Sequence, residues 1–455
     1  MSNRAVWVFL MGMTAAPAYA AGFALIEQSA SGLGNSYAGM AARSDDASTQ
    51  FFNPANLSFL PQGRQVVFGL SAILPSAKMD DPTGDVRFNN TQSPVTGNNG
   101  GNVASLAMVP NFYFADDIND TLKYGVGITV PYGLSSEFKD GWVGRYSALK
   151  SELETLNINP VISWKASERL SIAGGINLQY VKATLTNAID SSSLCLANQA
   201  PTGAIPAGSC NAVGLGQPGN AAADSYAKLS GDDLSWGFNL GVVFKPVAGT
   251  TIGAAYRSHI KHQLSGDASF RRSAQINRIA PLASRLSDGD IQAKLSLPET
   301  VSLSLAQQLN DKFELLADVT WTNWSRFKEL RIQFDSGDDN VTTTKWNNSY
   351  RFSLGGNYRY SEAVTLRMGV AYDQTAVPDA EHRTPRIPDA DRTWVSLGAR
   401  WKMDAINTFD IGYAYLFMKE AKLNHSTEGA SVQHRVQGEF SPNVNLLSVQ
   451  WTRVF

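Results

Sequence analysis

The sequence predicts an all-β fold, a 14-stranded antiparallel transmembrane β-barrel with an N-terminal hatch, or plug, inside the lumen. Three observations carry that expectation. Apolar residues recur with a period of two through fourteen segments. The connections between those segments alternate long and short. The chain opens on an export signal and stops on an aromatic residue, Phe455. Composition agrees: only 17% of the 455 residues are charged, against about 25% for an average soluble protein, while Gly (38) and aromatics (10%) are plentiful. A net charge of −2 offers no basic surface to neutralise phosphates, which excludes nucleic acid as a partner.

Residues 1–20 read as a signal peptide. Arg4 is the one early charge, 5–16 is apolar, and Ala18-Tyr19-Ala20 places small residues at the −3 and −1 positions of a cleavage site. The apolar part is shorter than the roughly 20 residues a helical span needs. Cleavage leaves a chain beginning Ala21-Gly22-Phe23. Export makes a disulfide chemically permissible, and Cys195 and Cys210 are the only cysteines. No His or carboxylate stands near enough to them to complete a metal site.

Residues 21–62 lack period-two alternation and are rich in Ser, Gly, Ala and Asn. Gly32, Gly34 and Gly39 weaken any long helix. Two readings fit, a free tail or a compact hatch. Fourteen strands enclose more space than the eight whose side chains fill a barrel, so the lumen is either plugged or open.

Residues 63–455 supply the strands, at 64–75, 104–115, 123–138, 154–165, 170–189, 229–246, 250–268, 289–308, 312–334, 346–360, 363–377, 391–403, 407–420 and 437–455. In one of them Trp236, Phe238, Leu240, Val242 and Phe244 alternate with Gly237, Asn239 and Gly241; Phe352, Leu354 and Tyr358 behave alike. A soluble sandwich also alternates. It has no reason to end its apolar faces in Trp and Tyr, or to alternate long connections such as 76–103 and 190–228 with tight ones such as 166–169 and 361–362. In the last segment Leu447, Val449, Trp451 and Phe455 share a face that Arg453 interrupts. A terminal aromatic of this kind resembles the signal read by bacterial outer-membrane insertion machinery.

Ala21-Gly22-Phe23, Ser31-Gly32-Leu33-Gly34, Tyr37-Ala38-Gly39, Asp45-Asp46-Ala47 and Asn53-Pro54-Ala55 closely resemble the hatch of the FadL family. Ordered matches follow at Val109-Pro110-Asn111, Tyr132-Gly133-Leu134, Leu297-Pro298-Glu299, Ile387-Pro388-Asp389 and Asp391-Arg392. The resemblance implies a monomeric transporter in the lipid of a Gram-negative outer membrane, without cofactor. Its cargo would be long-chain fatty acids or other hydrophobic molecules. It also implies capture in an internal pocket, hatch movement near Phe23, and release sideways through a gap at a kinked third strand.

Pro131 gives a physical reason for such a kink, because proline cannot donate to the ladder; it also suits a strand end at the rim. On this reading Pro131, Tyr132 and Gly133 frame a lateral opening, with Gly133 permitting unusual dihedrals and Asn53, Pro54 and Ala55 beside it. A desolvated carboxylate needs a cation. By local alignment Arg331 stands where the family has one, as a substrate ligand or a solvated rim charge. The second basic position aligns with Asn187, a departure that Lys182 in the same segment would offset. That leaves neutral cargo, such as monoaromatic hydrocarbons, as the alternative.

The uncharged 191–223 segment reads as a hydrophobic capture surface or as a flexible loop. No hydrolase, phosphate-loop or zinc-protease motif occurs, and His259 and His262 fall on opposite faces of a strand, so no enzyme activity is expected.

Overall fold

The computed structural model describes residues 22–88, 91–200, 204–335, 337–429 and 431–455; the expected signal peptide lies outside them. Fourteen antiparallel strands form a closed barrel. They are β1 (Gln65–Phe88), β2 (Ala107–Asn119), β3 (arms Leu122–Thr129 and Gly133–Glu137), β4 (Lys150–Ser167), β5 (Leu170–Ile189), β6 (Ser225–Phe244) and β7 (arms Thr250–Arg257 and Ile260–Arg271). Then follow β8 (Gly289–Leu297 and Thr300–Gln308), β9 (Phe313–Thr322 and Glu329–Phe334), β10 (Ser349–Arg359), β11 (Val364–Asp373), β12 (Arg392–Lys402), β13 (Asn407–Met418 and Ala421–Ser426) and β14 (Val432–Val454). Each pairs with its neighbours in sequence, and β1 pairs with β14 from Gln65↔Val454 to Phe88↔Val432, which removes free edges. β1 runs on to Phe88 instead of ending near 75, because its outer half pairs with an equally long β14 and with the short strand Thr91–Val95.

The apolar faces point outward. Leu234, Trp236 and Leu240 of β6, Phe352 and Leu354 of β10, Met368 and Val370 of β11, and Leu447 and Val449 of β14 are all exposed. Such a band is costly in water and matches the hydrocarbon of a bilayer. Arg453 interrupts it only at the rim, where its guanidinium lies 4.9 Å from the Phe455 ring centroid.

The lumen is filled by the hatch. It has one short helix, Ala30–Leu33, and two 3-10 turns, Ala47–Phe51 and Pro54–Phe59, whose first N–H groups are capped by the side chains of Ser29, Asp46 and Asn53. The inward glycines of the wall give it room. A Cβ at Gly253 would fall on the carbonyl oxygen of Ala41, one at Gly241 on the Asn53 amide, and one at Gly369 on the backbone of Asn35. Gly253→Ala is therefore expected to cost about 1–3 kcal/mol by overpacking, read as a lower urea midpoint. Gly289→Ala, where a Cβ meets nothing within 4 Å, should leave the midpoint unchanged.

Charge then fixes the hatch in place. Hatch residues Arg43, Asp45 and Asp46 form one buried network with Arg367, Arg400 and Asp410 of the wall: Arg367–Asp410 2.5 Å, Arg400–Asp410 2.9 Å, Arg400–Asp46 2.6 Å and Arg367–Asp45 3.1 Å. Burial acts to raise the Asp45 carboxyl, but Arg43, Arg400 and Arg367 together hold it well below its ordinary value. A depressed carboxylate contributes stability that is present above its unfolded value of 3.8 and lost only as pH falls through the lower folded value. The hatch is thus clamped throughout the neutral range.

Outside the barrel, Cys195 and Cys210 are bonded to each other and join the helices Ser191–Ala197 and Ser209–Ala212. The expected apolar capture surface is not open there. Ile205 and Leu215 are buried against Ile276, Ile279, Leu282 and Leu286 of the next long loop, so burial between loops consumes this apolar surface.

Candidate functional site

The third strand breaks at Val130-Pro131-Tyr132. Its first arm pairs with β4 as far as Thr129↔Asn157 and its second resumes at Gly133↔Glu154. On the other side, pairing with β2 stops at Phe112↔Ile128, so Ala107–Asn111 of β2 has no strand partner toward β3. The backbone ladder between β2 and β3 is interrupted along that edge. Asn111 and Thr129, which would form the next pair, keep buried side-chain polar atoms without a protein partner.

The backbone of the break is satisfied from within. The Leu25 N–H donates to the Pro131 carbonyl (2.8 Å) and the Gly133 N–H to the Phe23 carbonyl (2.9 Å), so the hatch N-terminus adds a short strand to the kinked edge. The Gln28 amide donates to the Val130 carbonyl (2.7 Å). The Thr155 hydroxyl accepts from the Tyr132 N–H (3.0 Å) and donates to the Tyr132 carbonyl (2.6 Å). Gly133 does not adopt a left-handed conformation, contrary to the dihedral argument from sequence. It is small because Leu25 lies against it: a Cβ there would stand 2.9 Å from the Leu25 side chain.

Phe23 is the pivot of this arrangement. Only 2% exposed, it is ringed by Trp324 (4.8 Å between centroids), Phe327 (5.8 Å), Trp346 (5.9 Å) and Tyr132 (6.1 Å). The break between the arms of β9 brings Trp324 and Phe327 inward. The Gly22 N–H, just before, donates to the Asp389 carboxylate at 3.0 Å. Phe23 lines an upper cavity with Leu134, Leu153, Leu264, Leu295 and Ile332. Ala24, Leu25 and Ile26 line a lower cavity with Pro54, Pro131 and Tyr132. The first described residues of the hatch therefore stand between the two voids.

The one cation lining the upper cavity is Arg386, among the described residues. It comes from the connection between β11 and β12, and its Nη1 donates to the Ser151 hydroxyl (2.8 Å) and the Lys150 carbonyl (3.2 Å). Burial alone lowers the guanidinium to about 10, so it stays charged at neutral pH. Sequence reasoning missed Arg386, although it directly precedes the matched Ile387-Pro388-Asp389; nothing local shows that this connection reaches across the lumen to β4.

The expected cations lie elsewhere. Strand alternation turns Arg331 away from Leu330 and Ile332, which do line the cavity, and Arg331 is bonded to Glu329 (2.7 Å) and Asp339 (3.0 Å) instead. Lys182 is exposed on the outer face, between the buried Val181 and the cavity-lining Ala183. Of the matched hatch turn, Pro54 lines the lower cavity. Asn53 is an anchor that donates to the carbonyls of Ala41 and Val242, and the Ala55 carbonyl accepts from the Ser171 hydroxyl on β5. No cluster of His, Cys, Asp or Glu capable of holding a metal occurs among the described residues.

A family model described as outer membrane protein transport protein (OMPP1/FadL/TodX) matches residues 11–455. The chain is 29% identical to a long-chain fatty acid transport protein of Escherichia coli O6:H1, over 94% of each chain. It is 32% identical to outer membrane protein P1 of Haemophilus influenzae, over 91% of this chain and 90% of that one. Among solved structures, a FadL homologue of Pseudomonas aeruginosa matches with a TM-score of 0.85 at 26% identity, over 96% of this chain and 100% of that one. The toluene transporter TbuX of Ralstonia pickettii shares the fold, with a TM-score of 0.62 at 19% identity over 93% and 99% of the two chains.

Proposed function

The chain belongs to the OMPP1/FadL/TodX family of outer membrane transport proteins, and from that premise we propose that it carries long-chain fatty acids passively across the outer membrane. The acid is captured in the upper cavity with its carboxylate on Arg386. Withdrawal of the hatch N-terminus at Phe23 then joins the upper and lower cavities. The acid leaves into the membrane beside Pro131, Tyr132 and Gly133, where β2 and β3 part. One observation carries this reading: a largely apolar void lined by a single arginine lies across a short hatch segment from a second void at the interrupted β2–β3 edge. The relatives named as long-chain fatty acid transport proteins favour the same cargo.

The second reading is uptake of neutral hydrophobic compounds such as monoaromatic hydrocarbons. It is favoured by the positions of Arg331 and Lys182, which leave Arg386 as the one arginine or lysine in a lining that also carries the carboxylate of Glu152. Oleate and oleyl alcohol uptake, measured in a deletion strain carrying the gene or its Arg386→Gln variant, separates the two. A charge-assisted hydrogen bond lost to the variant should lower oleate uptake about tenfold relative to the alcohol. Rescue of growth on toluene but not on oleate would replace the fatty-acid reading with the hydrocarbon one.

A further inference from the structure

Several arginines inside this protein are paired with acids. Arg43, Arg145, Arg367, Arg392 and Arg400 each meet a carboxylate within 4.0 Å. Arg257, at the end of the first arm of β7, does not, among the described residues. It donates to the Phe51 carbonyl (2.7 Å) and to the Asn177 side-chain oxygen, and its guanidinium lies 4.6 Å from the Phe51 ring centroid. It lines the lower cavity together with Pro131 and Tyr132. The acid in the same lining, Asp373, is engaged by Arg392 at 3.2 Å. The other guanidinium there, Arg351, is held by the Ser36 carbonyl (2.8 Å) and lies 5.0 Å from the Trp394 ring, with Asp373 and Asp318 as its charged neighbours. Above the hatch segment Arg386 has only neutral hydrogen-bond partners; below it the same holds of Arg257 and Arg351, and of these two Arg257 is the one without a neighbouring carboxylate charge.

We infer that Arg257 is a second carboxylate station, which takes the acid head group from Arg386 once the hatch N-terminus moves and holds it beside the kink before release. The inference rests on the fatty-acid reading above. Its physical basis is the cost of carrying an ionised carboxylate through an apolar passage without a partner. A cation on each side of the partition turns that passage into an exchange of one charge-assisted pair for another. A neutral molecule of the same length gains nothing from either arginine, so the effect is specific to acids.

Uptake of oleate and oleyl alcohol by the full-length protein in proteoliposomes tests the inference. Arg257→Gln is expected to lower the ratio of acid to alcohol uptake about tenfold, and Arg257→Lys to restore most of it. An equal fall for acid and alcohol would reduce Arg257 to a support of the hatch and overturn the inference. So would an unchanged ratio in Arg257→Gln. Wild-type protein that moves the alcohol but no oleate would instead overturn the fatty-acid reading itself, a result distinct from the other two.

Discussion

Cysteines at Ala24 and Tyr132, once oxidised to a disulfide, are expected to abolish uptake, and a reductant is expected to restore it. Ala24 and Tyr132 face each other in an antiparallel bridge flanked by the Leu25–Pro131 and Phe23–Gly133 hydrogen bonds. Residues so flanked form a non-hydrogen-bonded pair, with Cα atoms about 4.5 Å apart. That lies within the roughly 4.4–6.8 Å that a disulfide accepts. The bridge would fasten the hatch segment to the kinked strand and keep the two cavities apart. Wild-type protein treated with the same reductant controls for the Cys195–Cys210 bond. Uptake at the wild-type rate by fully cross-linked protein would show that cargo passes without hatch movement.

The largest loss of stability is expected from Asp410→Ala. Asp410 is fully buried and bonded to both Arg367 and Arg400. Its removal leaves Arg43, Arg367 and Arg400 facing only Asp45 and Asp46. Breaking a buried pair from one side costs about 3–5 kcal/mol, because the remaining charge is neither solvated nor matched. Unfolding in urea should show the full loss. In planar bilayers the variant should conduct ions, since the clamp between hatch and wall is weakened. A closed variant with an unchanged urea midpoint would mean that the network does not hold the hatch.

The two expectations draw on different parts of the fold, and the sequence made them legible to different degrees. Strand positions were readable because alternation is local: Trp236 to Phe244 declares its lipid face within nine residues. The break at Pro131 was readable because a missing N–H is a property of one residue. The clamp was not. Asp45 lies 322 positions from Arg367 and still further from Asp410, and each alone reads as a solvated charge. The reason for Gly133 was also hidden, since it depends on Leu25 lying against it rather than on a turn.

By itself, then, the sequence determined the barrel, the positions of its strands and the kink, all of which follow from patterns carried by a few residues. The tertiary structure alone decided which cations meet the cargo. One face of a strand turns Arg331 out, and a connection crossing the lumen brings Arg386 in. Closing a barrel brings remote segments together across a common interior, so the lining of that interior is a property of the assembled wall and not of any stretch of chain.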